Sequence, residues 1–236
     1  AEADPTLDVT GQDSAHKLTL LARLLTRSSI PIDAVHTEGI ESITRDDMAF
    51  AAELGYRIKL LAIAHLHDDG AWDLRVHPTL LRRDSILAQV QNEFNAAYIE
   101  ADAAGPILIY GYGAGSFPTA SSVVADIIRA AKGDRSLACI NGAPVRLVSM
   151  GDVLLRHYIR LTVLDVPGVL GRITSRFGER GISISSIRQP DADVGEPVPV
   201  VIVTHAVRDA VLSEALSVLE REGLLAAPPV RLRIED

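Results

Sequence analysis

The last third of the chain constrains the fold most, because strand and helix patterns alternate there in a regular order. Residues 157–164 alternate polar and apolar side chains, as expected for a strand with one buried face. Six segments carry such patterns, strands at 157–164, 182–188, 198–205 and 230–234 and helices at 169–178 and 209–222. The order strand-helix-strand-strand-helix-strand predicts the split, ferredoxin-like βαββαβ arrangement.

The first 150 residues predict a different, mixed arrangement of helices and strands. Thr44 and Asp47 have the spacing of a capping box, which starts a helix that stops at Gly55. The turn Asp68-Asp-Gly70 predicts a hairpin. The expected elements are a helix at 11–27, a weak strand at 32–37, strands at 57–65, 72–78, 95–101 and 107–110, and a helix at 118–132. We expect an α+β chain in which a mixed sheet with helices (1–150) precedes a ferredoxin-like domain (151–236).

Composition narrows the classes of function. The net charge is -8 and the charges are spread along 236 residues, which argues against nucleic acid or an anionic membrane as partner. The single cysteine, Cys139, excludes an internal disulfide and suits a reducing compartment. The chain has no apolar run long enough to span a membrane and no basic-apolar leader. We therefore expect a cytoplasmic globular protein.

Acidic residues and one lysine crowd the start of the first helix. Asp13 and Lys17 are four residues apart and so share one face of its first turns. Glu2, Asp4 and Asp8 lie just upstream. Such a group can bind a polar substrate, although an Asp/Lys pair at this spacing is also common as a solvated surface pair.

The order of residues in this segment resembles a family signature. E-A-D-P-T-L-D-V-T-G-x-D-x-A-x-K is similar to the signature of homoserine dehydrogenases, at the junction of their nucleotide-binding and substrate domains. The resemblance implies that Lys17 is the proton donor and acceptor, that Asp13 pairs with it and contacts substrate, and that Glu2 and Asp8 bind the amino acid. It also implies a nucleotide-binding domain before Ala1, so we expect the chain to begin at a domain boundary.

A glycine-rich loop admits two interpretations. Gly111-x-Gly113-x-x-Ser116 nearly matches a dinucleotide fingerprint, but no clear second strand with a ribose-binding acid follows. The run G-Y-G-A-G-S-x-P-T-A-S-x-V-V-A-D instead resembles the homoserine dehydrogenase loop that faces the nicotinamide, with Tyr112 in place of the usual proline. Gly113 is thus a cofactor-binding candidate. Without a nucleotide domain, the next helix would expose Val123, Val124, Ile127 and Ile128, and we expect disorder there or burial against another copy.

The ferredoxin-like part carries a second signature. D-x-P-G-x-L-x-x-I-x-x-x-F-x-x-x-G-I-x-I resembles the ACT domain, a small regulatory module that binds amino acids. Free amide groups at the start of the helix after Gly168 can take a carboxylate, and Asp165 can take an ammonium group. We assign effector binding to Asp165, Gly168 and Leu170. The alternative is a module that only dimerises by pairing sheets.

His65, His67 and His77 are close in sequence, but no cysteine or Glu-x-x-His accompanies them, so we predict no metal site. Together, the two resemblances imply NAD(P)-dependent interconversion of L-homoserine and L-aspartate 4-semialdehyde, with threonine as the expected feedback inhibitor. They also imply a homodimer or homotetramer. The alternative function is a non-catalytic amino-acid-binding and oligomerisation module.

Overall fold

The computed structural model describes residues 4–133, 141–191 and 193–235. Its helices are α1 (Thr6–Val9), α2 (Gln12–Thr26), α3 (Arg45–Glu53), α4 (Ser116–Ala131), α5 (Val169–Gly178) and α6 (Asp209–Arg221). Its strands are β1 (His36–Thr37), β2 (Tyr56–Leu66), β3 (Trp72–Arg82), β4 (Phe94–Ala101), β5 (Gly105–Tyr112), β6 (Leu154–Leu164), β7 (Ile184–Arg188), β8 (Pro197–Thr204), β9 (Val207–Arg208) and β10 (Ala227–Glu235). The chain divides into two compact units, Ala1–Leu81 with Ile140–Asp236, and Arg82–Cys139.

One sheet runs through the first unit in the order β1-β3-β10-β6-β8-β7. Strand β2 pairs with β3, and β9 pairs with β6. Its part β10-β6-β8-β7 has the strand order of a ferredoxin-like sheet, so the predicted α+β class and βαββαβ module are confirmed. Strand β10 also pairs in parallel with β3. The sheet is therefore continuous across residue 150, and the domain division expected there stays a prediction.

Three apolar clusters fix the layers of this unit. Helices α5 and α6 cover the ferredoxin-like strands through residues such as Ile173, Phe177 and Leu212, all fully buried. Helix α2 packs Ala15, Leu18 and Ala22 against Leu74 and Val76 of β3. Helix α3 packs Ala51 against Tyr158, Leu232 and Ile234 of β6 and β10. Apolar contacts thus join α3 to the last strand, β10.

The predicted capping box at α3 is present and has a second role. The Asp47 side chain accepts a hydrogen bond from the Thr44 backbone amide at 3.0 Å, and the Thr44 hydroxyl accepts one from the Asp47 amide at 3.3 Å. Asp47 also accepts from Arg160 Nε at 2.7 Å and from the Tyr158 hydroxyl at 3.2 Å. Burial raises the pKa of Asp47, but bonds from Arg160 and Thr44 outweigh it and lower that pKa. One carboxylate therefore caps a helix and ties it to β6.

The second unit differs from the expectation in two ways. Strands β4 and β5 form their own antiparallel two-stranded sheet, whereas we expected them to complete a larger one. Both faces of this ribbon are apolar and exposed: Tyr98, Leu108, Tyr110 and Tyr112 on one, Ile99, Ile107 and Ile109 on the other. Helix α4 begins at Ser116, not after Pro118, because proline is tolerated in a first turn where no amide partner is needed.

Three smaller expectations are corrected or refined. The segment 32–37 forms a 3₁₀ turn at Ile32–Ala34 and only two strand residues, since its apolar residues alternate too weakly for a longer strand. The predicted hairpin is present, with Gly70 at φ +80 in its turn. Among the described residues, no helix has the length and apolarity needed to cross a membrane.

Two histidines of the sheet are buried, and only part of their hydrogen-bonding capacity is used among the described residues. His77 and His157 have no exposed surface, and His77 Nε2 and His157 Nδ1 have no hydrogen-bond partner among the described residues. Burial, with the positive charges of Arg233 and Arg75, lowers the pKa of His77 to about 3. Burial also lowers the pKa of His157, against the opposing effect of Asp209. Both imidazoles are therefore neutral in the folded chain at neutral pH.

This gives a prediction for acid stability. Because the pKa of His77 is lower in the folded chain than the 6.5 of a free histidine, the unfolded chain binds the extra proton. The contribution of neutral His77 to the free energy of unfolding is fully present above pH 6.5. It falls as the pH drops towards 3, by up to about 1.4 kcal/mol per pH unit for one such group. Urea denaturation from pH 7.5 to 4.5 measures the slope. His77→Gln should reduce the slope, whereas exposed His205→Gln should not; an unchanged slope in His77→Gln contradicts the assignment.

Candidate functional site

The predicted acid–base pair lies on the solvent side of helix α2. The helix begins after Gly11, whose φ of +79 turns the chain from α1 into α2. Ala15 and Leu18 face the core, so residues 13 and 17 lie on the opposite side. The Lys17 Nζ atom is 2.6 Å from Asp13 Oδ2, with exposed side-chain fractions of 60% and 40%. The pair predicted from spacing forms, and both groups remain accessible to a substrate.

The other predicted acids of this segment are only partly placed. Asp8 lies in the short helix α1, which contacts α2, and its side chain is exposed. Glu2 lies outside the described residues. Asp4 accepts hydrogen bonds from the Thr6 amide and hydroxyl, and these bonds lower its pKa. Asp4 thus stabilises the start of α1, while Asp8 remains open to a ligand. The substrate-binding roles of Glu2 and Asp8 stay predictions.

A buried group of charges lies next to this segment, and no local sequence pattern predicts it. Arg233 of β10 has no exposed surface and donates to both carboxylate oxygens of Glu38, with Nη2 2.7 Å from Oε1. Its Nε donates to Asp209 Oδ1 at 3.1 Å. His36 Nε2 also lies 2.8 Å from Glu38 Oε1, and His157 Nε2 lies 3.2 Å from Asp209. In the sequence, Glu38 stands in the run Glu38-Gly39-Ile40, which by itself does not indicate a buried ion pair.

The pKa values of the two acids follow from these contacts. Burial raises the pKa of Glu38, but hydrogen bonds from His36 and Arg233 outweigh it and hold that pKa far below its usual range. Burial likewise raises the pKa of Asp209, and His157 and Arg233 lower it to about 2. Both carboxylates are therefore ionised at neutral pH, and the charge of Arg233 is compensated from two sides.

The glycine loop of the second unit has a defined local structure. The Gly113 amide donates to the Glu93 carbonyl at 2.9 Å. A β-carbon at Gly113 would overlap the Asn95 carboxamide, whereas one at Gly111 would meet nothing within 4 Å. Gly115, at φ +122, precedes α4. The loop thus has one glycine fixed by a neighbouring side chain and one with an open side, and the cofactor-binding role of Gly113 stays a prediction.

The predicted effector residues lie together at the start of α5. Gly168 precedes the helix with φ +89, and Leu170 packs against the apolar cluster beneath it. Asp165 Oδ1 accepts a hydrogen bond from Gln189 Nε2 at 3.0 Å. Gln189, which the sequence did not single out, therefore shares the Asp165 carboxylate with any ligand there. The effector-binding roles stay predictions.

Two further observations concern small ligands and ions. A shallow cleft of about 330 Å³ lies beside the buried charges, lined by Glu38, Ser42, Ser213, Leu216, Pro229, Val230 and Arg231; neither Asp13 nor Lys17 lines it. His67 pairs with Asp73 at 2.9 Å, and His77 is buried. Across residues 4–133, 141–191 and 193–235, no group of three or more His, Cys, Asp or Glu side chains could hold a metal ion.

Comparison with known proteins places this geometry in a family. The family model described as homoserine dehydrogenase matches residues 1–128, and that of the ACT domain matches residues 157–223. Homoserine dehydrogenases of Pseudomonas aeruginosa and Corynebacterium glutamicum are 41% and 37% identical to the chain, each over 100% of it and 57% and 54% of their own lengths.

A solved structure agrees with these matches. The crystal structure of a homoserine dehydrogenase from Thiobacillus denitrificans has a TM-score of 0.89 at 38% identity, over 100% of this chain and 56% of that one. The chain spans about half the length of the relatives it matches. The chain belongs to the homoserine dehydrogenase family and carries that family's C-terminal catalytic portion followed by an ACT domain.

Proposed function

We propose that the full-length protein is a homoserine dehydrogenase that interconverts L-homoserine and L-aspartate 4-semialdehyde with NAD(P). The observation that carries the proposal is the Asp13–Lys17 pair, which forms at 2.6 Å inside the family signature and stays accessible. Family membership supports the reaction class. We retain a cytoplasmic location as part of the proposal.

The chain's own residues supply binding and proton transfer. The nicotinamide, when bound, exchanges a hydride with the carbon that carries the aldehyde or alcohol oxygen. During reduction of the semialdehyde, Lys17 donates an Nζ proton to the forming alkoxide, and during oxidation it accepts the hydroxyl proton. Asp13 orients the ammonium group of Lys17. Asp8 and Glu2 bind the amino group of the substrate. The glycine loop, with Gly113, would contact the nicotinamide of a bound cofactor.

The ACT domain supports feedback control by an amino acid, which we propose is threonine. The Asp165 carboxylate takes the ammonium group, and the free amides after Gly168 take the carboxylate. The exposed apolar ribbon of β4 and β5 supports self-association, because a two-stranded sheet alone is marginally stable in water and this one is apolar on both faces. A homodimer or homotetramer would cover it.

Substitution of Lys17 tests the reaction. In the full-length protein, Lys17→Ala should lower kcat by at least about 100-fold, because no other group delivers the proton. Lys17→Arg should also be impaired, since a guanidinium keeps the Asp13 contact but does not release its proton. Nucleotide binding, followed by fluorescence, should be unchanged, and Lys132→Ala on the exposed end of α4 is the matched control. Full turnover in Lys17→Ala contradicts the assignment.

Threonine titration by calorimetry tests the effector site. Asp165→Ala should weaken threonine binding by about tenfold or more, the usual effect of losing a hydrogen bond to a charged group. Exposed Asp191→Ala is the matched control. If wild-type protein releases no heat with threonine and retains full activity in its presence, the ACT domain serves another ligand or only assembly.

Sedimentation tests self-association through the ribbon. Ile109→Asp in β5 should lower the mass of the full-length protein to a smaller assembly, because a carboxylate would have to be buried in an apolar contact. Asp102→Asn in the β4–β5 turn should leave the mass unchanged. An unaltered mass in Ile109→Asp would place the subunit contact elsewhere. Self-association with no hydride transfer by the wild type would favour the alternative, a non-catalytic amino-acid-binding and oligomerisation module.

A further inference from the structure

The turn that carries the acid–base pair is held by a close backbone contact at Gly39. A β-carbon at Gly39 would overlap the Val9 carbonyl oxygen and lie 2.8 Å from Thr10 Cα. Gly39 has no positive φ, so the glycine is required by space and not by backbone conformation. The next amide, that of Ile40, donates to the same Val9 carbonyl at 2.8 Å. Any side chain at residue 39 must push the turn away.

On the other side of this contact, Gly11 of the turn lies close to Glu38 and to strand β3. A β-carbon at Gly11 would lie 3.3 Å from the Glu38 carbonyl and 3.2 Å from Val76 Cγ1. The Glu38 amide in turn donates to the Val76 carbonyl at 2.8 Å. Residues 38 and 39 therefore lie between β3 and the turn at residues 9–11, and we call them the spacer.

The position of the spacer sets the start of helix α2. The Ala15 amide donates to the Gly11 carbonyl at 3.0 Å, so the first turn of α2 is built on Gly11. Asp13 lies within that turn, and Lys17 lies one turn further. A shift of the turn at 9–11 therefore moves or loosens both groups of the pair.

The spacer is itself anchored to the C-terminal module. The Glu38 side chain is paired with Arg233, which is fully buried and is shared with Asp209 at the first residue of α6. Moving Glu38 away from Arg233 would leave a buried guanidinium with half of its compensation, which is costly. The anchor resists displacement for that reason.

We propose that Glu38 and Gly39 are positioning residues that seat the turn at 9–11 against the sheet and so direct Asp13 and Lys17. Through Arg233 and Asp209, the same residues join the acid–base segment to the ACT module. The effect on turnover rests on the proposed function; the effect on local order does not.

Two substitutions with matched controls test the proposal in the full-length protein. Gly39→Ala should displace the turn, and Glu38→Gln should remove the charge that pairs with Arg233. The control Gly178→Ala is a glycine without positive φ and with nothing within 4 Å of an added β-carbon. The control Glu53→Gln removes an exposed partner of Arg188. Each variant is measured by steady-state kinetics and by hydrogen exchange of the amides in residues 5–20 and of Ile40.

In both test variants, the backbone amides of α1 and of the first turn of α2 should exchange faster than in the wild type. The amides of strands β6 and β8 should stay protected. Their kcat with homoserine should fall, by about 10- to 100-fold for Gly39→Ala, because a displacement near 1 Å costs that much in a positioned site. The KM for the nucleotide should be unchanged, which a general loss of structure would not produce. The two controls should match the wild type in both measurements.

Other results would overturn either this proposal or the proposed function. Wild-type exchange and kcat in Gly39→Ala overturn the proposal. If Gly39→Ala opens the whole first unit, Glu38→Gln decides, and wild-type behaviour of that variant overturns the proposal. If the wild-type protein turns over no homoserine with either nucleotide, the proposed function fails, and the exchange measurement alone decides whether residues 38 and 39 hold the turn.

Discussion

The pairing of a fully buried Arg233 with Glu38 and Asp209 is the interaction on which the rest of the first unit depends. A guanidinium without exposed surface is costly to bury unless anions lie on it. Here one anion comes from the loop after β1 and the other from the start of α6. Strand β10 can therefore occupy its place between β3 and β6 only when both halves of the chain are in position.

Local features of this fold were predictable because neighbours in sequence produce them. The βαββαβ order, the capping box at Thr44 and the hairpin at Gly70 each depend on residues a few positions apart. Neither the parallel pairing of β10 with β3 nor the pairing of Arg233 with Glu38 was predictable, because the partners are far apart in sequence, by 195 residues for Arg233 and Glu38. The alternating pattern at 230–234 predicts a strand with a polar face towards water, whereas Arg233 on that face is buried by residues no local pattern identifies.

The candidate site, too, has features that were predictable from local sequence and features that were not. Helical spacing and the order of residues predicted the Asp13–Lys17 contact, because both groups lie on one helix. Gln189 beside Asp165 and Asn95 beside Gly113 were missed, since Gln189 follows strand β7 and Asn95 lies in β4. The apolar ribbon is a separate case: its composition predicted strands, and the structure shows a two-stranded sheet with apolar side chains exposed on both faces.

Buried ion pairs contribute little net stability, yet breaking one is strongly destabilising. Such a pair is therefore better suited to fixing one arrangement than to strengthening the fold. In this chain the pair at Arg233 fixes the segment that holds Gly39 against the Val9 carbonyl, at a distance that leaves no room for a β-carbon. Because Arg233 also pairs with Asp209 of α6, the ACT module and the acid–base segment share one structural element.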